Sequence, residues 1–258
     1  MPGMSSACSR ESVPGVWLCF EPEIGVLPQP DWLAEHEQAT VAQFSGPRRR
    51  EYLCSRWLLR QAIACQTRCP ATSCAPVPGR PVATAQPPGW RLSLSHSQGL
   101  SGCAISADTG LGLDIEPLAR PLQWQKVVRR WFTPDEQAWL LSRDSQTEFL
   151  RVWTLKEAWL KATGRGIAGN LQTLEVGPDF QLQGDLDDIR WQAASSVAHG
   201  YLVTLVYRRS APDVPDGHLL QVAPSLELNG PSPQAEPFTF TWHQPVLPTP
   251  ATERKPDG

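Results

Sequence analysis

Between residues 47 and 65 the apolar positions Tyr52, Leu53, Trp57, Leu58, Ala62 and Ile63 fall in adjacent pairs separated by four-residue steps, a spacing that keeps them on one buried face of a helix. A second helix is predicted over 146–163, a stretch free of Gly and Pro that Gly164 is suited to stop. Weaker or shorter helical patterns fall at 31–43 and 124–131. Another helix starts at Thr133-Pro134-Asp135-Glu136, where Thr133 caps, Pro134 suits the first helical position and Glu136 closes a capping box. Elsewhere the period shortens to two. Strands are predicted over 15–20, 91–96, 102–106 and 111–116, then near 174–176, 180–183, 189–194 and 201–208. The Pro-rich stretch 70–89 reads as an irregular loop. Helices mixed with strands in both halves predict an α+β fold.

A chain of 258 residues can bury a sizeable core, and the pattern divides it into an N-terminal lobe over 1–110, a C-terminal lobe over 111–209 and a tail over 210–258. Ten prolines lie between Pro212 and Pro256, and apolar residues there come only in short runs, at 219–228 and 238–242. Such a composition offsets little ordering entropy, so the tail is expected to be flexible. A net charge of −3 argues against a nucleic-acid partner. The first fourteen residues are polar, and no run approaches the roughly 20 apolar residues of a membrane span. The expectation is a soluble cytoplasmic protein with no membrane partner. Seven cysteines, an odd count without a secretory signal, read as reduced thiols. Cys65, Cys69 and Cys74 cluster, but with no Cys-x-x-Cys pair and no nearby His they do not read as a zinc site.

The chemistry concentrates in two stretches. In Trp153-Thr154-Leu155-Lys156-Glu157-Ala158-Trp159-Leu160-Lys161, helical spacing aligns Trp153, Glu157 and Lys161, with Lys156 on the flank. In Gly112-Leu113-Asp114-Ile115-Glu116, strand alternation points Asp114 and Glu116 one way and Leu113 and Ile115 into a core. Taken singly, Glu157 and Lys161 are an ordinary helix pair, and the two strand carboxylates are the wet face of an edge strand. Taken together, three carboxylates and two lysines are what a divalent cation and a polyphosphate require: hard oxygen ligands for the metal, ammonium groups for the remaining phosphate charge. No Gly-x-x-x-x-Gly-Lys loop is present, which disfavours a nucleoside triphosphate.

This pairing, Gly-x-Asp-x-Glu followed after some forty residues by Trp-x-x-Lys-Glu-Ala-x-x-Lys, resembles the signature of the 4′-phosphopantetheinyl transferases. The likeness covers roughly residues 45–208, and the length fits the larger, pseudodimeric class: two similar lobes about a pseudo-twofold axis, monomeric, with the site between lobes. The resemblance implies transfer of phosphopantetheine from coenzyme A to a serine of an apo acyl, polyketide or peptidyl carrier protein, releasing adenosine 3′,5′-bisphosphate. It implies Mg2+, for which Mn2+ can substitute, on Asp114, Glu116 and Glu157. Glu157 would be the general base, Lys161 would contact the pyrophosphate, and Lys156 would assist. Ser95 and His96 match a Ser-His pair that binds a coenzyme A phosphate. Gly79-Arg80-Pro81 matches a Gly-Lys-Pro element, with Arg in place of Lys. On the 47–65 helix, Arg49, Arg56 and Arg60 fall near one face, and the resemblance sets a clamp for the 3′-phosphate near Arg50 and Arg56, in a register open by one position. The alternative is a non-catalytic coenzyme A or nucleotide-binding module.

Overall fold

The computed structural model describes residues 13–22, 27–79, 83–107, 110–208, 215–222, 225–229 and 233–250. Arg80, Pro81 and the first twelve residues lie outside them. In chain order the elements are β1 (Gly15–Phe20), α1 (Glu35–Val41), α2 (Gly46–Thr67), β2 (Ala75–Pro76), β3 (Ala85–Gln86), β4 (Arg91–Ser97), β5 (Leu100–Ser106), β6 (Leu111–Pro117), α3 (Trp124–Trp131), α4 (Pro134–Arg143), α5 (Gln146–Ala162), β7 (Leu174–Val176), β8 (Leu182–Gly184), β9 (Trp191–Ala198), β10 (Tyr201–Arg208), β11 (Asp216–Leu220), β12 (Ala235–Thr239) and β13 (Trp242–Pro248). The mixture of helix and strand is the α+β class expected from the periodicities.

Two larger sheets organise the molecule. Sheet 1 runs β12-β11-β1-β5-β4, and sheet 2 runs β6-β10-β9-β13-β8-β7. Helix α2 packs on β1 and β5, burying Leu53, Trp57, Leu58, Ala62 and Ile63 as its period predicts. Helix α5 packs on β6 and β10 through Val152, Leu155, Ala158 and Trp159. A third core lies between the sheets, where Val16, Leu18 and Ala104 meet Leu113, Ile115, Val203 and Leu205. Strand β6 thus sends Leu113 and Ile115 into the core between the sheets and carries Asp114 and Glu116 on its other face, against which α5 packs.

The segment expected to be a flexible tail contributes three strands. Strand β11 pairs in parallel with β1, β12 pairs with β11, and β13 pairs with β9 through Trp242 to Pro245 and with β8 through Val246 to Pro248. Leu219, Leu220, Leu226, Leu228, Phe240 and Val246 are buried. Composition pointed the other way because these residues make no core of their own; they complete cores begun elsewhere. Among the described residues, no helix is long and apolar enough to cross a membrane.

Candidate active site

The site forms where the β4 edge of sheet 1 lies beside the β6 edge of sheet 2. Alternate serines of β4 span the two edges. Ser93 Oγ accepts from the Leu113 amide at 2.9 Å, Ser95 Oγ donates to Asp114 Oδ1 at 3.2 Å, and Ser97 Oγ donates to Glu116 Oε2 at 3.3 Å. Over this seam lies α5, brought close by Gly112. A Cβ at position 112 would collide with the carbonyl oxygen of Ala158, so only glycine lets the helix settle at this depth. Gly164 takes φ +70 just beyond α5, and the Arg165 amide donates back to the Leu160 carbonyl, closing the helix as the sequence predicts.

Lys161 is the hub. Its ammonium donates to Asp114 Oδ1 at 2.8 Å, to the Leu113 carbonyl at 2.8 Å and to Ser95 Oγ at 3.2 Å. Burial pushes the Asp114 carboxyl above its usual range, against the pull of Lys161. Burial, with the charges of Asp114 and Glu116, pushes Glu157 up to about 7. That coupling puts the three carboxylates in one electrostatic neighbourhood. Asp114 Oδ2 and Glu157 Oε1 are buried without a hydrogen-bond partner. Glu116 instead receives Arg120 at 3.0 Å as well as Ser97. Among the described residues no three His, Cys, Asp or Glu side chains converge tightly enough to enclose a metal ion. Two bare oxygens on Asp114 and Glu157 fit a hard cation; Glu116 is turned to Arg120 and does not join them.

Beside this cluster opens a cleft of about 1260 Å³, lined among others by Arg48, Tyr52, Arg56, Ser95, His96 and Lys161. Gly79 also lines it. Its size is that of a large cofactor site. His96, expected at a phosphate, lies with Nδ1 3.2 Å from Glu51, and Glu51 also pairs with Arg48. Burial lowers the His96 pKa, and the Glu51 charge opposes that shift.

The arginines of α2 divide. Arg49 donates to the Leu27 carbonyl, Arg50 lies 3.7 Å from Glu21, and Arg60 is buried against Glu37. Arg56 faces the cleft with its guanidinium 4.5 Å over the Tyr52 ring and with Nε and Nη1 buried and lacking a hydrogen-bond partner. The cleft face is thus 48–52–56, a run of i, i+4 steps, where the sequence reading had joined 49, 56 and 60. Arg50 is correspondingly absent from the cleft lining. Arg48 and Tyr52 carry that i, i+4 signal in the sequence; Glu51, which also lines the cleft, lies off the run and carries none.

Lys156 requires a larger correction. Expected to assist catalysis, it is fully buried on the opposite flank of α5, 2.7 Å from Glu136 Oε1, and donates to the carbonyls of Leu171 and Leu174. Burial lowers its pKa, against the opposing pull of Glu136. It touches neither the cleft nor the carboxylates.

Residues 110–206 match the family described as the 4′-phosphopantetheinyl transferase superfamily. The chain is 41% identical over 91 residues to the 4′-phosphopantetheinyl transferase HetI of Nostoc sp., an alignment covering 34% of this chain and 38% of HetI. It is 28% identical over 185 residues to the putative 4′-phosphopantetheinyl transferase slr0495 of Synechocystis sp., covering 66% and 71%. With the 4′-phosphopantetheinyl transferase AcpT of Escherichia coli K12 it shares 32% over 129 residues, covering 46% and 60%. A solved structure, the holo-[acyl-carrier-protein] synthase of Thermotoga maritima, aligns over 42% of this chain and 68% of that chain at 24% identity and a TM-score of 0.33.

Proposed function

We propose that this chain, whose residues 110–206 match the 4′-phosphopantetheinyl transferase superfamily, transfers the phosphopantetheine group of coenzyme A to a serine of an apo carrier protein. The observation that carries the reading is the Lys161–Asp114–Ser95 contact at the mouth of the cleft, with the unpartnered oxygens of Asp114 and Glu157 beside it. A pocket that only binds has no use for two bare, buried carboxylate oxygens, which disfavours a non-catalytic coenzyme A module.

In this reading coenzyme A fills the cleft, with Arg48, Arg56 and His96 toward its phosphates and Lys161 at the pyrophosphate. The acceptor serine oxygen forms a bond to the β-phosphorus, the bond to the bridging oxygen breaks, and adenosine 3′,5′-bisphosphate departs. Glu157 takes the serine proton. Lys161 offsets charge on the departing phosphate. A divalent cation, Mg2+ or Mn2+, would be held by Asp114 and Glu157, with Glu116 joining only on release from Arg120. It would polarise the pyrophosphate and offset its charge. Ser95 orients Asp114.

A monomer of two lobes about a pseudo-twofold axis is part of the proposal. A repeated order supports it: β1-α2-β4-β5 with sheet order β1-β5-β4, and β6-α5-β9-β10 with sheet order β6-β10-β9. The test is intact mass of an apo carrier protein after incubation with the enzyme and coenzyme A, with Mg2+ and with excess chelator. A gain of one phosphopantetheine, dependent on the cation, is expected; equal transfer in chelator overturns the role of the carboxylates.

A further inference from the structure

Helix α5 is held to sheet 2 mainly by apolar side chains. Apolar contact is non-directional, and an apolar core of roughly the right volume tolerates small shifts before stability is lost. The carboxylate of Glu157 tolerates far less. A side chain extends about 5–6 Å from a helix axis, so a rotation of about 20° displaces its end by about 2 Å. A displacement of about 1 Å can cost about a hundredfold in rate.

Against this background the burial of Lys156 calls for a purpose. A buried ion pair is a poor source of stability, because apolar side chains of the same volume do as well or better; its best-attested use is to specify one register. Here the anchor is rigid. Glu136 Oε2 accepts from the Thr133 amide in the capping box of α4, and Oε1 accepts from the Val176 amide of β7 at 2.9 Å. Lys156 thereby joins α5 to the start of α4, to β7 and to the carbonyls of Leu171 and Leu174. Two further tethers act from other directions. Thr154 Oγ1 lies 2.8 Å from Thr204 Oγ1 on β10, and Trp159 Nε1 donates to Thr173 Oγ1 at 3.1 Å. Thr204 is the cross-strand partner of Asp114.

We propose that Lys156 and Glu136 are positioning residues whose buried ion pair fixes the rotation of α5, so that Glu157 and Lys161 face Asp114. The inference rests on the transferase reading above and assigns the pair no contact with substrate.

The test compares the full-length wild type with Lys156→Met/Glu136→Gln, which removes both charges and keeps one carbonyl oxygen, enough for either the Val176 amide or the Thr133 amide of the cap. The double variant is expected to stay folded while kcat falls about tenfold to a hundredfold, with KM for coenzyme A within about threefold, because the cleft contacts on α2 and β4 are untouched. Leu150→Ala, a cavity variant on the same helix, is expected to lower the melting temperature and keep kcat within about threefold. Mn2+ affinity in the same samples supplies a readout that does not need transfer: at least about threefold weaker in the double variant and unchanged in Leu150→Ala. A folded double variant with kcat and Mn2+ affinity both at wild-type level overturns the proposal, as does a Leu150→Ala enzyme equally impaired. If the double variant does not fold, Glu136→Gln alone is read by the same two criteria. A wild type that binds Mn2+ but transfers nothing refutes the transferase reading, while the Mn2+ comparison still decides the positioning role.

Discussion

The wall of the cleft formed by β6 and α5 keeps its charges in contact with one another, whereas the wall formed by α2 disperses five arginines in several directions. On the first wall, Lys161 alone reaches Asp114, Ser95 and the Leu113 carbonyl. On the second, Arg48, Arg49 and Arg50 follow one another in sequence and find Glu51, the Leu27 carbonyl and Glu21. Consecutive residues on a helix point about 100° apart, so a run of like charges cannot converge on one ligand. Convergence came where strand alternation and helical spacing were combined across a close contact at Gly112. The comparison separates a wall built for chemistry from one that mostly holds its own fold and turns Arg56, 3.8 Å from Glu37, toward the cleft.

The largest effect should come from the first wall. Asp114→Ala and Glu157→Gln are each expected to lower transfer by about a hundred- to a thousandfold, with melting temperatures near wild type, as read by intact-mass kinetics and thermal unfolding. Near wild-type rates in Glu157→Gln would remove that residue from the chemistry. Gly112→Ala should come next, because its methyl group must push α5 from β6. A loss of about 1–3 kcal/mol of stability in urea titrations is expected, together with slowed transfer; an unperturbed variant would show that the closeness of α5 is not what the glycine provides.

The second wall should respond unevenly. Arg56→Ala is expected to weaken coenzyme A binding by about ten- to a hundredfold, the loss of a charge-assisted bond of about 1.5–3 kcal/mol. Arg50→Ala should leave affinity within about twofold, because its partner is Glu21 and not the cleft. Calorimetry with coenzyme A and dephospho-coenzyme A decides whether the Arg56 effect belongs to the 3′-phosphate; equal losses in both arginine variants would erase the distinction between them.

The smallest effect is a proton count. Folding raises the Glu157 pKa to about 7, so the folded state binds more protons than the unfolded chain between the ordinary carboxylate range and about 7. Through this group alone, stability is greatest below that range and declines as pH rises through about 7. A cation on Glu157 favours the ionised form. Cation titration at pH 7 should therefore release protons, seen as a buffer-dependent heat, and Glu157→Gln should abolish that release.

How much was legible in sequence follows the same division. The strand 111–117, the helix 146–162 and the Thr133–Glu136 box could be read because the chain neighbours of each residue settle its orientation. The role of Lys156 could not: its direction is decided by Glu136, twenty residues earlier, whose own capping role was visible but whose second partner was not. The strands of 216–248 failed for a related reason. Their hydrogen bonds and apolar cover come from β1, β8 and β9, and composition read locally undercounts burial that distant residues supply.

Strand β13 has one more consequence. It is the last strand among the described residues, yet it stands between β9 and β8. Among the described residues the β7–β8 hairpin joins sheet 2 only through it, and β9 lacks a neighbour on that side without it. A polypeptide emerging from the ribosome at about 5–20 residues per second therefore carries an open sheet edge until residue 248 is free. During that interval the nascent chain is exposed to strand-to-strand association with its neighbours. The late arrival of β13 makes productive folding a race between completing synthesis and meeting another copy, a pressure that slower translation or crowded polysomes would intensify.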